Sequence, residues 1–316
     1  MAEAEAGVPC ANTATDELCP SSRAAGLAAN APHPSTGRGS RRVLETMESN
    51  PVRPTSPVAP YLGGKRNLAA RLTRLIETVP HKLYAEPFVG MGGIFLRRRS
   101  RPRAEAINDI SGDVTTLFRV LQRHYVAFID ELRFKLTSRA EFERLVRTDP
   151  ATLTDLERAE RFLYLQRVAF GGKVVGRNFG VDLRGGSRFD ITKLQSMLEE
   201  VHERLAPVTI ECLPYGDFIR RYDTPDTLFY LDPPYWDCET DYGDGVFGRA
   251  DFERLADQLF GISGQFILSI NATPGAREVF SRFNVMEVET TYSVGAGTAG
   301  RSKRVGELIV TSQSIG

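Results

Sequence analysis

Leu228-Phe229-Tyr230-Leu231-Asp232-Pro233-Pro234-Tyr235-Trp236 is the stretch that decides how the chain reads. Its first four residues are apolar and partly aromatic, the pattern of a strand buried on both faces. Asp232 follows at the strand's carboxyl end, and two prolines then forbid any further ladder or helix. The result is a stiff loop carrying one carboxylate, free carbonyl groups and an aromatic face at the rim of a sheet. In an open α/β sheet that rim is where ligands bind. Taken alone, Asp-Pro-Pro reads equally well as a proline-stiffened turn, so the sequence upstream has to decide.

Upstream, Tyr61-Leu62-Gly63-Gly64-Lys65 precedes an amphipathic segment predicted as a helix over 68–78. Two glycines allow close backbone approach to a ligand and leave Lys65 near a helix amino end, where a carboxylate or phosphate is welcome. A glycine turn with a solvated lysine is the plainer alternative. Next, Leu83-Tyr84-Ala85-Glu86-Pro87-Phe88-Val89-Gly90-Met91-Gly92-Gly93 reads as strand and glycine-rich turn, with a helix expected after it. The turn is not Gly-x-Gly-x-x-Gly. Glu86 at the strand's end would repel a pyrophosphate, which disfavours a nicotinamide dinucleotide and suits a cationic, phosphate-free ligand. About twenty residues further, 104–110 reads as a second strand closing on Asp109, placed to bind two ribose hydroxyls. Asn108, Asp109 or Ser111 can equally cap the helix predicted over 114–122.

From about 124 to 207 the βα rhythm stops. Short helices are predicted over 128–134 and 142–146, and longer ones over 159–170 and 197–205. Between the last two, Lys173, Arg177, Asn178 and Arg188 alternate with glycines and aromatics, a mixture suited to a polyanion. Such an insertion can be a small helical subdomain with a solvated face; its place inside a ligand-binding sheet favours a substrate-reading role. The rhythm resumes with a strand at 208–212 and the pair Asp217-Phe218. These two can read an adenine amino group and ring face, or Asp217 can simply cap a short helix at 218–221. A helix at 252–259 and strands at 265–270, 285–290 and 306–311 follow. A glycine-rich basic loop carrying Arg301, Lys303 and Arg304 joins the last two, either touching a nucleic-acid backbone or standing as a solvated tip.

Composition narrows the field further. With 40 Lys and Arg against 40 Asp and Glu, net charge is zero, so a nucleic-acid surface has to come from local clustering. Cys10, Cys19, Cys212 and Cys238 have no metal-ligand spacing, and reduced thiols in a cytoplasmic protein without metal are expected. No apolar run reaches membrane-spanning length. Residues 1–50 are too poor in apolar clusters to offset their ordering entropy and are expected to be a disordered tail. Met47 is an alternative translation start.

As an ordered set from about 60 to 311, these motifs resemble the Dam-type (D12 class) adenine-N6 DNA methyltransferases. Tyr61 to Lys65 is similar to the family's amino-terminal S-adenosyl-L-methionine motif, and Glu86 to Gly93 to its glycine loop. Asn108-Asp109 is similar to its ribose-binding acid. Phe162-Leu163-Tyr164-Leu165-Gln166-Arg167 with Phe170-Gly171-Gly172 resembles the start of its target-recognition region. Asp217-Phe218 resembles the adenine-contacting pair and Asp232-Pro233-Pro234-Tyr235 the catalytic tetrad. Met91 in the glycine loop and Tyr61, where tryptophan is common, depart from the pattern without removing a group the chemistry requires.

The resemblance implies an α/β, Rossmann-like methyltransferase fold with a seven-stranded, mostly parallel sheet. A catalytic domain over 51–123 and 208–316 would hold the helical target-recognition insertion at 124–207. It implies methyl transfer from S-adenosyl-L-methionine to adenine N6 in double-stranded DNA, without metal or membrane, by a monomer or a dimer on DNA. Asp232 and the Pro233 carbonyl would accept the two N6 hydrogen bonds, and Tyr235, beyond Pro234, would stack on a base turned out of the duplex. Tyr61, Lys65, Glu86, Phe88, Gly90, Asp109, Asp217, Phe218 and Asp232 would hold the cofactor, Lys65 by its carboxylate. Arg167, Lys173, Arg177, Asn178, Arg188, Arg301, Lys303 and Arg304 would grip DNA. Another exocyclic amine, such as cytosine N4 or an RNA base, remains a rival, as does a DNA-binding module without turnover. A nicotinamide oxidoreductase is disfavoured by Glu86 and by the lack of a later His-Asp pair.

Overall fold

The computed structural model describes residues 49–180, 186–243, 245–292, 303–313 and 315. Residues 1–48 of the expected amino-terminal tail, with Met47, Cys10 and Cys19, lie outside them, as does Arg301, whereas Asn50 at the tail's end is paired with Arg101; of Lys303 and Arg304 only the backbone is described.

Strands β2 (Leu83–Glu86), β4 (Ala104–Asn108), β5 (Thr209–Glu211), β6 (Thr227–Leu231), β7 (Gln265–Asn271), β8 (Asn284–Tyr292) and β9 (Lys303–Thr311) form one seven-stranded sheet. Its order is β5-β4-β2-β6-β7-β9-β8. The first five run parallel, whereas β9 is antiparallel to both β7 and β8. Two-residue strands β1 (Asn50–Pro51) and β3 (Ser100–Arg101) pair separately. As the opening stretch requires, every residue of β6 is buried. The order reverses between β2 and β6, so the carboxyl ends of β2, β4 and β6 diverge around a crevice.

Helix α1 (Ala69–Thr78) buries Ala69, Leu72 and Ile76 of the apolar face expected from its period, with Leu75 of that face only partly buried and Thr73 buried beside it. The helix expected after the glycine loop is reduced to a single 3-10 turn, Phe95–Arg97. Gly90 and Gly92 adopt positive φ of 50° and 74°. By Ser100 the chain is already extended in β3, which leaves room for one turn only.

The insertion comprises α3 (Tyr125–Leu132), α4 (Arg139–Arg147), α5 (Asp155–Val168) and α6 (Ile191–Leu205), entered from α2 (Gly112–Arg123). A capping box of Thr154 and Glu157 starts α5, four residues before the predicted boundary. Buried residues of α2, α3, α5 and α6 belong to the same apolar cluster as Tyr84 and Ile107 of the sheet. The insertion therefore shares the sheet's core. Buried Glu105 of β4 accepts hydrogen bonds from Arg98 at 2.6 Å and from Arg204 of α6 at 2.6 and 2.7 Å. Removing one member of such a buried set costs about 3–5 kcal/mol. The other face of the sheet is covered by α7 (Tyr215–Tyr222), α8 (Arg249–Phe260) and α9 (Pro274–Val279), around Phe218, Phe229, Phe252 and Phe266.

Candidate active site

A cavity of about 1090 Å³ opens at the carboxyl rim, between the ends of β2, β4 and β6. Its wall includes Tyr61, Lys65, Glu86, Phe88, Gly90 and Asp109, all expected there, together with Asp232 and Pro234. Asp109 follows β4 and accepts hydrogen bonds from the backbone amides of Gly90 and Ser111, each at 2.9 Å. It thus ties the glycine loop to the start of α2. Gly90 lies so close to Tyr61 that a Cβ there would sit 3.1 Å from the ring, so a side chain at this position would crowd the wall. Buried Asn108 donates to the carbonyls of Pro87 and Leu213 at 3.0 Å and accepts from the Leu213 amide at 2.8 Å. One amide side chain holds both flanks of the cavity.

Three carboxyl groups face this space. Burial pushes Glu86 up to about 8, and Glu86 accepts a hydrogen bond from Tyr84 at 2.8 Å. Burial also raises Asp109 and Asp232 to about 6 each. A cation beside such carboxyl groups favours their ionised forms.

Asp232 lies 3.0 Å from Lys65 Nζ, and Ser269 donates to it at 3.5 Å while sharing a 2.7 Å hydrogen bond with Tyr230. Lys65 is buried and also contacts Glu307 and the Tyr235 hydroxyl, with Nζ 4.0 Å from the Tyr235 ring centroid. The structure therefore makes Lys65 a counter-ion to Asp232 and Glu307. It also lies on the cavity wall, where a ligand carboxylate was expected to meet it. Tyr235 and Pro233 are not on the cavity wall; the Tyr235 hydroxyl donates to Glu307 at 2.7 Å. Asn271, at the end of β7, clamps the loop by accepting from the Trp236 amide at 2.8 Å and donating to its carbonyl at 3.0 Å.

Asp217 and Phe218 do not reach the cavity. Phe218 is fully buried beneath α7, and Asp217 is exposed and paired with Arg220. Tyr215 faces the cavity in their stead, with ring centroids 5.5 Å from Phe88 and 5.7 Å from Phe247. The sequence reading missed Tyr215, Phe247, Glu307 and Tyr242. Tyr242 folds back from the acidic loop after Trp236, donates to the Leu62 carbonyl at 2.9 Å and lies 5.9 Å from the Tyr61 ring. Its one sequence signal was an aromatic residue in an otherwise acidic, glycine-rich loop.

Among the residues expected to grip DNA, Arg167 is engaged elsewhere. Its guanidinium donates to the carbonyls of Arg188 at 2.7 Å and Val58 at 2.6 Å, which leaves it a brace between segments. Arg177 is half-buried and donates to Gln166 at 3.3 Å and to the Lys173 carbonyl at 3.2 Å. Lys173 and Asn178 are exposed, and Arg188 is half-buried. Lys173, Arg177 and Asn178 stand on a hairpin-like loop closed by the bridge between Ala169 and Phe179. This loop is locked to the segment Tyr61 to Lys65, because the Gly172 carbonyl accepts from Leu62 at 3.2 Å and from Gln166 at 2.6 Å.

Among the described residues, no group of three or more His, Cys, Asp or Glu is placed to hold a metal ion. No described helix is long and apolar enough to cross a membrane.

A sheet of this order, with its last strand antiparallel and acids at the ends of its first, second and fourth principal strands, defines a Rossmann-like methyltransferase. The family model of the D12 class N6 adenine-specific DNA methyltransferases matches residues 61–294, and the chain belongs to that family. It is an adenine-specific DNA methyltransferase. The chain is similar to the type II methyltransferase M1.LlaDCHI of Lactococcus lactis subsp. cremoris, 29% identical over 81% of this chain and 95% of that protein. It is also similar to the type II methyltransferase M.CviBI of Paramecium bursaria Chlorella virus NC1A, 24% identical over 82% of this chain and 98% of that protein.

Proposed function

We propose that the protein methylates adenine N6 in double-stranded DNA, using S-adenosyl-L-methionine and acting on a base turned out of the helix. The observation that carries this reading is Asp232, a carboxylate fixed by Lys65 and Ser269 on the wall of a cavity also lined by Asp109 and Glu86. Three acids on one wall disfavour a phosphate-bearing cofactor and suit a cation with a ribose diol. Asp109 would hold the ribose, and Phe88, Tyr215 and Phe247 would enclose a flat ring. Tyr61 and the glycine loop would pack against the rest. These groups fit S-adenosyl-L-methionine, which supplies a methyl group already activated for attack.

Adenine N6 is a poor nucleophile because its lone pair is delocalised into the ring. Asp232 would accept one N6 hydrogen bond and the Pro233 carbonyl the other, drawing the amine toward tetrahedral geometry and freeing the lone pair. N6 would attack the methyl carbon as the S–C bond breaks with its electron pair on sulfur, and the proton that N6 then loses would pass by way of Asp232 to solvent. Lys65 would keep Asp232 aimed, Pro234 would stiffen the loop, and Tyr235 would stack on the base. Lys173, Arg177, Asn178 and Arg188, with Arg301, Lys303 and Arg304, would contact the DNA. No metal cation need be recruited for the step, since the sulfonium is already activated and would depart as a neutral thioether.

Unmethylated genomic DNA treated with the protein and labelled S-adenosyl-L-methionine, then digested to nucleosides, tests the reading. Label in N6-methyladenosine's deoxy form is expected. Label confined to N4-methylcytosine, or transfer to RNA alone, overturns it.

A further inference from the structure

Glu307 has no role in the proposed chemistry, yet it is fully buried beside the acceptor loop. Its strand, β9, runs against the parallel strands, so an early residue of β9 reaches the rim where β7 ends. Glu307 stands opposite Asn271 in that register. The two neighbours hold one loop from two sides. Asn271 clamps the Trp236 backbone, and Glu307 contacts the Tyr235 hydroxyl and the Lys65 ammonium.

Lys65 stands between two carboxylates, Asp232 at 3.0 Å and Glu307. Glu307 also accepts from the Tyr235 hydroxyl at 2.7 Å, so one buried carboxylate fixes two groups beside Asp232. Loss of that carboxylate would let both move, and a misplacement of about 1 Å at reacting groups costs up to about 100-fold in rate.

Resting on the reading above, we propose that Glu307 is a positioning residue for methyl transfer, holding Lys65 and Tyr235 in place beside Asp232. The test compares the full chain with Glu307→Gln and Glu307→Asp, measuring single-turnover transfer, S-adenosyl-L-methionine affinity and thermal stability. Glu307→Gln should slow transfer by about tenfold or more while cofactor affinity stays within about twofold, with partial recovery in Glu307→Asp. A folded Glu307→Gln protein within about threefold of the native rate overturns the proposal. A fall in cofactor affinity equal to the fall in rate also overturns it, since a purely structural role predicts that. Should Glu307→Gln fail to fold, Glu307→Asp decides: a native rate overturns the proposal, and slower transfer at unchanged cofactor affinity supports it. The unaltered protein is the control for the underlying reading. If it labels no adenine, the reading and the proposal fall together; if it does and the variants match it, the proposal alone falls.

Discussion

Gly275→Ala should slow methyl transfer sharply while leaving the fold nearly intact. Gly275 is the second residue of α9, and its Cα faces the Trp236 indole. A Cβ there would lie 2.8 Å from Trp236 Cη2 and closer still to Cζ2 and Cε2. Carbon atoms settle at about 3.5–4.0 Å, so the ring has to retreat by roughly 1 Å or more. Its retreat is hemmed in: the Arg249 guanidinium lies 4.0 Å from the ring and Phe252 has its centroid at 4.8 Å. The backbone of Trp236, held at both amide and carbonyl by Asn271, must then shift, four residues from Asp232. Overpacking costs about 1–3 kcal/mol, and alanine in place of a helical glycine returns up to about 1 kcal/mol. Net destabilisation should therefore stay within about 3 kcal/mol by urea unfolding. A misplacement of about 1 Å at reacting groups costs up to about 100-fold in rate. Single-turnover transfer to unmethylated DNA, with enzyme in excess over sites, reads that loss. Removing the obstructing ring, in Gly275→Ala with Trp236→Ala, should restore part of it, because the two changes couple through one contact. A native rate for Gly275→Ala refutes the claim that the indole positions the acceptor loop.

Glu86 makes cofactor binding and stability depend on pH in opposite directions. Its folded value of about 8 lies above the ordinary 4.5, so its contribution to stability is complete below 4.5 and is lost as pH rises through about 8. Glu86→Gln should therefore raise the melting temperature more at pH 9 than at pH 5. Binding a cation needs the ionised form, so S-adenosyl-L-methionine affinity, followed by calorimetry, should strengthen with pH up to about 8 and flatten in the variant. Asn108→Ala should destabilise the protein by about 3 kcal/mol or more, because three backbone groups lose their partner. Urea unfolding measures that, and weakened cofactor binding should accompany it.

Much of the fold was legible because its signals are local. The buried run before Asp232, the single face of α1 and the acids ending β2 and β4 each depend on neighbours within a few residues. What stayed hidden depends on distance or on helical phase. Glu307 sits in an aliphatic strand, and only the reversal of β9 brings it to Lys65 from 242 residues away. In α7 the phase of 100° per residue turns Phe218 inward and Asp217 outward, so Tyr215 at its first position lines the cavity. An acid beside an aromatic residue carries no record of that phase. Arg167 shows the same limit: its charge suggested a phosphate contact, whereas the carbonyls of Val58 and Arg188, unpredictable from sequence, engage it.

Asp232 is proposed to act on the adenine amine from the wall of the cavity. The most direct measurement is methyl transfer to adenine in duplex DNA by Asp232→Ala, with S-adenosyl-L-methionine affinity determined on the same preparation. Transfer should be abolished while the variant still binds the cofactor. Transfer at the native rate by Asp232→Ala would contradict the account.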